Sequence, residues 1–220
     1  MAMKPILSNT PMVQALLNTK PGAWPAEPIN PSRPCKRQTR RAMKPQPEHR
    51  AEPDSDWHPG RKYPLAFWVD NKRWIKPKYQ VGDILYVRET WRKHEFGFDY
   101  RVLENGQLFP SFDDDPIKWK PSIHMPREAA RLFLEVREMR VERLQDICHK
   151  DVIAEGVKNP CNSCNGCYEG YSCIEAFPVD AFKEIWSTLN SKDAWESNPW
   201  VWVCGFMRAG KDAGGRDGCD

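Results

Sequence analysis

Lys36 and Thr39 stand three residues apart in the stretch "CKRQTRR", residues 35 to 41, with Arg37, Arg40 and Arg41 beside them. A threonine hydroxyl becomes a useful nucleophile only with a base in hydrogen-bond reach, about 2.6 to 3.2 Å. Lys36 suits that role in its neutral form, and three neighbouring guanidiniums, together with partial burial, disfavour its protonated form. The guanidiniums offer a second chemistry. Each is a planar fork that matches a phosphate, so Arg37, Arg40 and Arg41 are candidates to hold one, or to help neutralise an oxyanion. A solvated basic loop is the third reading, and spacing alone leaves all three open.

A second chemical cluster lies in "CNSCNGCYEGYSC", where Cys161, Cys164, Cys167 and Cys173 place four thiols within 13 residues. Four thiolates complete one tetrahedral Zn²⁺ site, and Asn162, Ser163, Asn165 and Gly166 are turn formers that let a loop wrap an ion. The two-residue spacings also suit an iron-sulfur cluster, but the five-residue gap and the lack of a second cysteine group favour structural zinc. Reduced surface thiols are the remaining alternative. Cys35, beside Lys36, is a candidate low-pKa thiol, while Cys148 and Cys204 read as small core residues. His124 and His149 are isolated candidates for acid-base work.

Both clusters need a scaffold, and 220 residues with 40% hydrophobic content suffice to build a core. The net charge of +3 is unevenly spread: residues 1 to 50 hold nine Lys or Arg against two Glu, which leaves the other 170 residues at −4. An anion-binding surface is expected near the start of the chain. No apolar run reaches the roughly 20 residues of a membrane span, and "MAMKPILSNTPM" lacks the apolar core of a secretory signal, so a cytoplasmic, soluble protein with reduced cysteines is expected.

The patterning predicts a short helix over "NTPMVQALLNT", with Thr10 as its cap and Pro11 in its first turn, followed by a Pro-rich insertion over 20–34. A hairpin is expected in "LAFWVDNKRWI", and strands in "YQVGDILYVRETW", "AARLFLEVREMRVERL" and "NPWVWVCGFM". "LQDICHKDVIAEGV" reads as a short helix ending at Gly156. "VDAFKEIWSTLN" reads as an amphipathic helix burying Phe182, Ile185, Trp186 and Leu189. This mixture implies an α+β domain over 1–207, with a cysteine-rich insertion over 158–174 and a tail over 208–220.

Four separated pieces, "KPILSNTPMVQALL" leading to "KRQTRR", "YQVGDILYVRETW", "RVERLQDICHKDVIAEGV" and "NPWVWVCGF", resemble in order the ASCH domain family, small β-barrels with flanking helices related to the PUA fold. The likeness is greatest to the longer members carried by bacteriophages and prophages. It departs where Pro-rich sequence precedes Cys35 and where Arg37 replaces a common threonine. The resemblance implies an amidohydrolase that removes an acyl group from N4-acylated cytidine, with Lys36, Thr39 and Glu155 as its catalytic residues. The same resemblance supports a binding module for RNA or modified DNA, gripping the backbone with the basic stretch. Trp74, Trp91 and Trp119 are then candidates to stack on bases, and "KWKPSIHMPREAAR" adds a second basic patch. A phage interaction protein using the barrel only as a scaffold is a third class. The expected partner is a nucleoside or nucleic acid, RNA or modified DNA.

Overall fold

The computed structural model describes residues 3–24, 27–30, 33–47, 67–69, 73–110, 118–157 and 177–210. In chain order its elements are β1 (Met3–Leu7), α1 (Thr10–Leu17), β2 (Gln38–Ala42), β3 (Phe67–Val69), β4 (Arg73–Ile75), β5 (Ile84–Arg88) and β6 (Trp91–His94). They continue with β7 (Gly97–Tyr100), β8 (Phe133–Arg143), α2 (His149–Ala154), α3 (Phe177–Leu189) and β9 (Trp200–Arg208). The expected α+β mixture is present. The main sheet has strand order β1-β5-β8-β9-β2, with β1 parallel to β5, while β5 pairs antiparallel with β8 and β2 with β9. β3–β4 and β6–β7 are separate hairpins, the first where "LAFWVDNKRWI" predicts one. The described pairings form an open order ending in β1 and β2 rather than a closed ring. No helix among the described residues is long and apolar enough to cross a membrane.

Two compact units divide the chain, one made of Met1–Arg37, Gly82–Val136 and Phe206–Asp220, the other of Gln38–Val81 and Arg137–Gly205. In the first unit, α1 starts at Asn9, whose Oδ1 accepts from the Met12 amide at 3.0 Å. The expected cap, Thr10, is instead the first helical residue, because Asn9 keeps an extended backbone and takes the capping geometry. The buried face of α1 carries Val13, Ala15, Leu16 and Leu17. Gly82, at φ +88, turns the chain into β5, whose Ile84 and Tyr86 pack with Trp91, Met125, Ala129, Ala130 and Phe133. Trp91 is therefore a core residue, not an exposed platform.

Asn18 organises the Pro-rich connection after α1. Its side-chain amide donates to the carbonyls of Asn30, Arg33 and Pro34 at 3.0, 2.9 and 3.1 Å, and its Oδ1 accepts from the Asn30 amide at 2.8 Å. One buried side chain thus ties the connection at Asn30, Arg33 and Pro34.

The second unit is built on Leu144, Ile147, Val152, Val157, Phe182, Trp186, Trp195, Val201 and Val203. Phe182 on α3 packs near Trp186 and Trp195, with ring centroids 6.0 and 6.3 Å apart. These aromatics occupy the helix contact, so Ile185 and Leu189, expected on the same buried face, stay 40% and 51% exposed. α2 closes as expected at Gly156, φ +90, a conformation that a residue with a Cβ adopts only at a steric cost. Cys204 is buried, whereas Cys148 is exposed, since it precedes α2 instead of pointing into the core.

Asn9→Ala should lower the stability of the protein by about 1 kcal/mol, with Thr10→Ala costing less, because only Asn9 satisfies an orphan amide. Equilibrium urea unfolding of the two variants checks this.

Candidate functional site

β2 carries most of the basic stretch. Paired antiparallel to β9, it sets Gln38 opposite Gly205, Thr39 opposite Cys204 and Arg40 opposite Val203. Alternate residues of a strand face opposite sides, so Gln38 and Arg40 share one face while Thr39 and Arg41 take the other. Nothing in the composition of "QTRRA" announces a strand. It is extended because its backbone pairs with β9, and in that register Arg40 finds charge partners.

Those partners are acidic. The Arg40 side chain has no exposed surface, and its Nη2 donates to Glu142 at 2.8 Å and to Asp151 at 2.9 Å, while Nη1 donates to Glu155 at 3.2 Å. Arg40, expected among the phosphate contacts, therefore has both terminal nitrogens engaged by carboxylates and serves as the hub of an ion-pair network. Its Nε is buried without a hydrogen-bond partner among the described residues. Arg140 forms an outer layer, donating to Asp151 at 2.7 Å, to Glu138 at 3.3 Å, to Gln38 at 3.4 Å and to Glu142. Gln38 in turn donates to the Asp151 carbonyl at 3.1 Å.

Sequence reading did not single out Glu138, Arg140, Glu142 or Asp151. A signal was available, since "EMRVE" places Glu138, Arg140 and Glu142 at a two-residue period, the spacing that sets them on one face of β8. Met139 and Val141 of the same strand pack instead against Met43 and Trp202.

Lys36 belongs to the first unit and is 3% exposed. Its backbone is anchored there: its amide donates to the Ala15 carbonyl at 3.3 Å, and its carbonyl lies 3.2 Å from the Thr19 hydroxyl. Arg37, half-buried, accepts from the Phe206 amide at 2.9 Å through its carbonyl. Thr39 and Glu155 belong to the second unit and are 2% and 7% exposed, while Arg41 is exposed on β2. Among the expected site residues, the structure joins Arg40 to Glu155 directly.

The charges act on one another. Burial pushes Asp151 up, but the Arg40 and Arg140 guanidiniums outweigh it and hold its carboxyl below the ordinary 3.8. Arg140 loses some affinity for its proton by burial and regains more from Glu142, Asp151 and Glu138, which leaves it raised. Burial raises the Cys35 thiol, against opposing help from Thr19 and Arg37, so Cys35 is not the low-pKa nucleophile its position suggests. Tyr79 is pushed up to about 12, mainly by burial, with Arg41 opposing. A second buried pair lies in the first unit, where Arg131 grips Glu89 in bidentate fashion at 2.9 and 2.8 Å.

The remaining candidates are scattered. His124 is exposed, and His149 is half-buried at the start of α2. Trp119 is half-buried and meets Phe109 edge-on at 5.6 Å, with Arg92 and Arg101 within 5.9 and 5.7 Å of its ring. Cys161, Cys164, Cys167 and Cys173 lie outside the described residues, as does the side chain of Trp74. Comparison of the chain with family models, with curated proteins and with solved structures finds no match in any of the three.

Asp151 carries a pH signature with a definite sign. Its carboxyl titrates lower in the folded than in the unfolded protein, so its stabilisation is complete above about pH 4 and is lost as pH falls through the folded value. Asp151→Asn should therefore lower stability by about 2–4 kcal/mol near pH 6, and the gap from wild type should narrow as pH falls below the ordinary carboxylate range. Urea midpoints across that range test both magnitude and sign.

Proposed function

We propose that this chain is an ASCH-like, PUA-related protein that acts on nucleosides as an amidohydrolase, removing the acyl group from N4-acylated cytidine. What supports the reading is burial within each unit taken by itself, of Lys36 at 3% exposure in the first and of Thr39 and Glu155 at 2% and 7% in the second. Lysine and glutamate are among the residues least often removed from water, because desolvating their charges is costly unless specific partners repay it. Burial of the lysine and of the threonine of this stretch is what a solvated basic loop does not give.

In this mechanism the neutral Lys36 amine takes the proton of the Thr39 hydroxyl as Oγ1 attacks the acyl carbonyl. The tetrahedral intermediate collapses by breaking the bond to N4, and the Lys36 ammonium returns its proton to the departing cytidine amine. Water then hydrolyses the threonine ester with Lys36 again as base, releasing the carboxylic acid and restoring Thr39. By the family resemblance, Glu155 is the assisting carboxylate. The exposed Arg41 is the cation of this stretch suited to a phosphate or to the oxyanion.

One observation favours a second reading, a nucleic-acid binding module: Trp119, beside Phe109, Arg92 and Arg101, unites a half-exposed ring with cations. For the cysteine segment we propose one structural zinc held by Cys161, Cys164, Cys167 and Cys173, since four thiolates suit a closed tetrahedral site.

Purified protein should release cytidine from N4-acetylcytidine, and Lys36→Ala and Thr39→Ala should each reduce turnover by about a thousandfold or more while melting cooperatively. An inactive wild type whose affinity for single-stranded RNA falls steeply with salt would transfer the assignment to the binding module. Metal analysis after purification without chelators should find about one zinc per chain, lost in the Cys161→Ser/Cys164→Ser variant. A value near zero for wild type removes the zinc proposal.

A further inference from the structure

We infer that the β6–β7 hairpin and residues 118–120, all within the first unit, form a surface for a single strand of nucleic acid, with bases stacked on Trp119 and Phe96 and phosphates met by Arg92 and Arg101. The inference gives the nucleic-acid reading a surface and stands apart from the amidohydrolase one. Trp91 and Lys120 exchange backbone hydrogen bonds at 3.2 and 2.8 Å, so residues 118–120 extend the hairpin as a short third strand. Alternation then sorts the side chains. Trp91 and Tyr100 turn to the core, while Arg92 and His94 of β6, Asp99 of β7, Arg101 and Trp119 share the opposite face. On that face the Trp119 ring lies 5.9 Å from the Arg92 guanidinium and 5.7 Å from that of Arg101, and Arg92 is also 5.4 Å from the Phe109 ring.

At the far end of β6 the chain turns in two residues, Glu95 and Phe96, and His94 Nδ1 accepts from the Phe96 amide at 3.2 Å, which fixes the tip. The Phe96 side chain is 89% exposed, its ring 6.3 Å from that of His94. One exposed apolar side chain is ordinary on a protein surface. Held beside the face of Arg92 and Trp119, it continues a series of rings and cations, the pattern that grips a strand by stacking and charge. Over residues 91–109 and 118–120 five Lys or Arg stand against three Asp or Glu, which favours a polyanion. Asp99 takes the Arg92 Nε at 2.6 Å and lies 3.5 Å from His94, so among the described residues the terminal nitrogens of Arg92 keep their donors. The exposed Lys93, Lys118 and Lys120 have no ion pair among the described residues. A protein partner would call for a centre depleted of charge, whereas here the guanidiniums lie against the rings. Trp119 and Phe96 lie towards opposite ends of β6, further apart than the roughly 3.4 Å between bases stacked in a duplex, so only bases free to splay reach both.

The test is fluorescence anisotropy of a labelled oligouridylate of about ten residues with the full chain, across a range of salt. Wild type should bind it saturably and about tenfold or more tighter than an RNA duplex of the same length. Phe96→Ser, at a surface position, and Trp119→Ala should each weaken binding by about fivefold or more, the loss of one stacked base. Arg101→Gln should flatten the slope of log affinity against log salt by about 0.7, the share of one phosphate contact. Phe96→Ser decides the case if Trp119→Ala fails to melt cooperatively. No saturable binding by wild type, equal affinity for the duplex, or unchanged affinity in Phe96→Ser overturns the inference. Cytidine release from N4-acetylcytidine by the wild type reports on the amidohydrolase reading separately, so either reading can fail without the other.

Discussion

A guanidinium with no access to water must be matched by negative charge, and in the second unit that requirement falls on Arg40. Glu142 comes from β8, and Asp151 and Glu155 from α2 and its C-terminal end, so one side chain on β2 draws two further elements to a common point. Removing any partner would leave part of a buried charge unbalanced, which is far more costly than losing a surface ion pair. Arg140 extends the arrangement, sharing Glu142 and Asp151 with Arg40 and linking back to Gln38 on β2. The hydrophobic cluster around Trp186 and Val201 drives burial without direction, while the ion pairs specify which residues meet.

The first unit repeats the principle on a smaller scale. Glu89, at the end of β5, is buried and held by the Arg131 fork, and Arg131 also donates to the Val102 carbonyl and lies 4.1 Å from the Tyr100 ring centre. Its pH behaviour has the opposite sign to that of Asp151. Burial raises the Glu89 carboxyl despite Arg131, so its ionised form is the one folding disfavours, and that penalty is relieved as pH falls through the folded value. Two differences separate the carboxylates: Glu89 is more deeply buried than Asp151, and it meets one guanidinium where Asp151 meets two.

The amidohydrolase reading and the ion network make different demands on the same basic stretch. Of its four cations, Lys36 and Arg40 are buried, Arg37 is half-buried and Arg41 is exposed, so one heptapeptide supplies core charge and surface charge in alternation. The clustering of cations around Thr39 thus has a structural reason for Arg40 at the least, independent of catalysis.

Element types were largely legible in the chain, because hydrophobic periodicity and turn chemistry are local. α1, α3, the β3–β4 hairpin, β5, β8 and β9 lie where alternation or helical spacing predicts them, and Gly156 ends α2 as its missing side chain allows. β2 was not legible, since "QTRRA" has no apolar pattern and owes its extended form to β9 and to acidic partners more than 100 residues away. For the same reason Arg40 read as a free cation and Glu138, Arg140, Glu142 and Asp151 went unmarked. The sequence by itself determined which groups exist, where helices and most strands form, and that charge is concentrated near the start of the chain. Only the tertiary structure decided which of those charges are buried and which carboxylates each must face, because pairing across long chain separations depends on sheet register and helix docking.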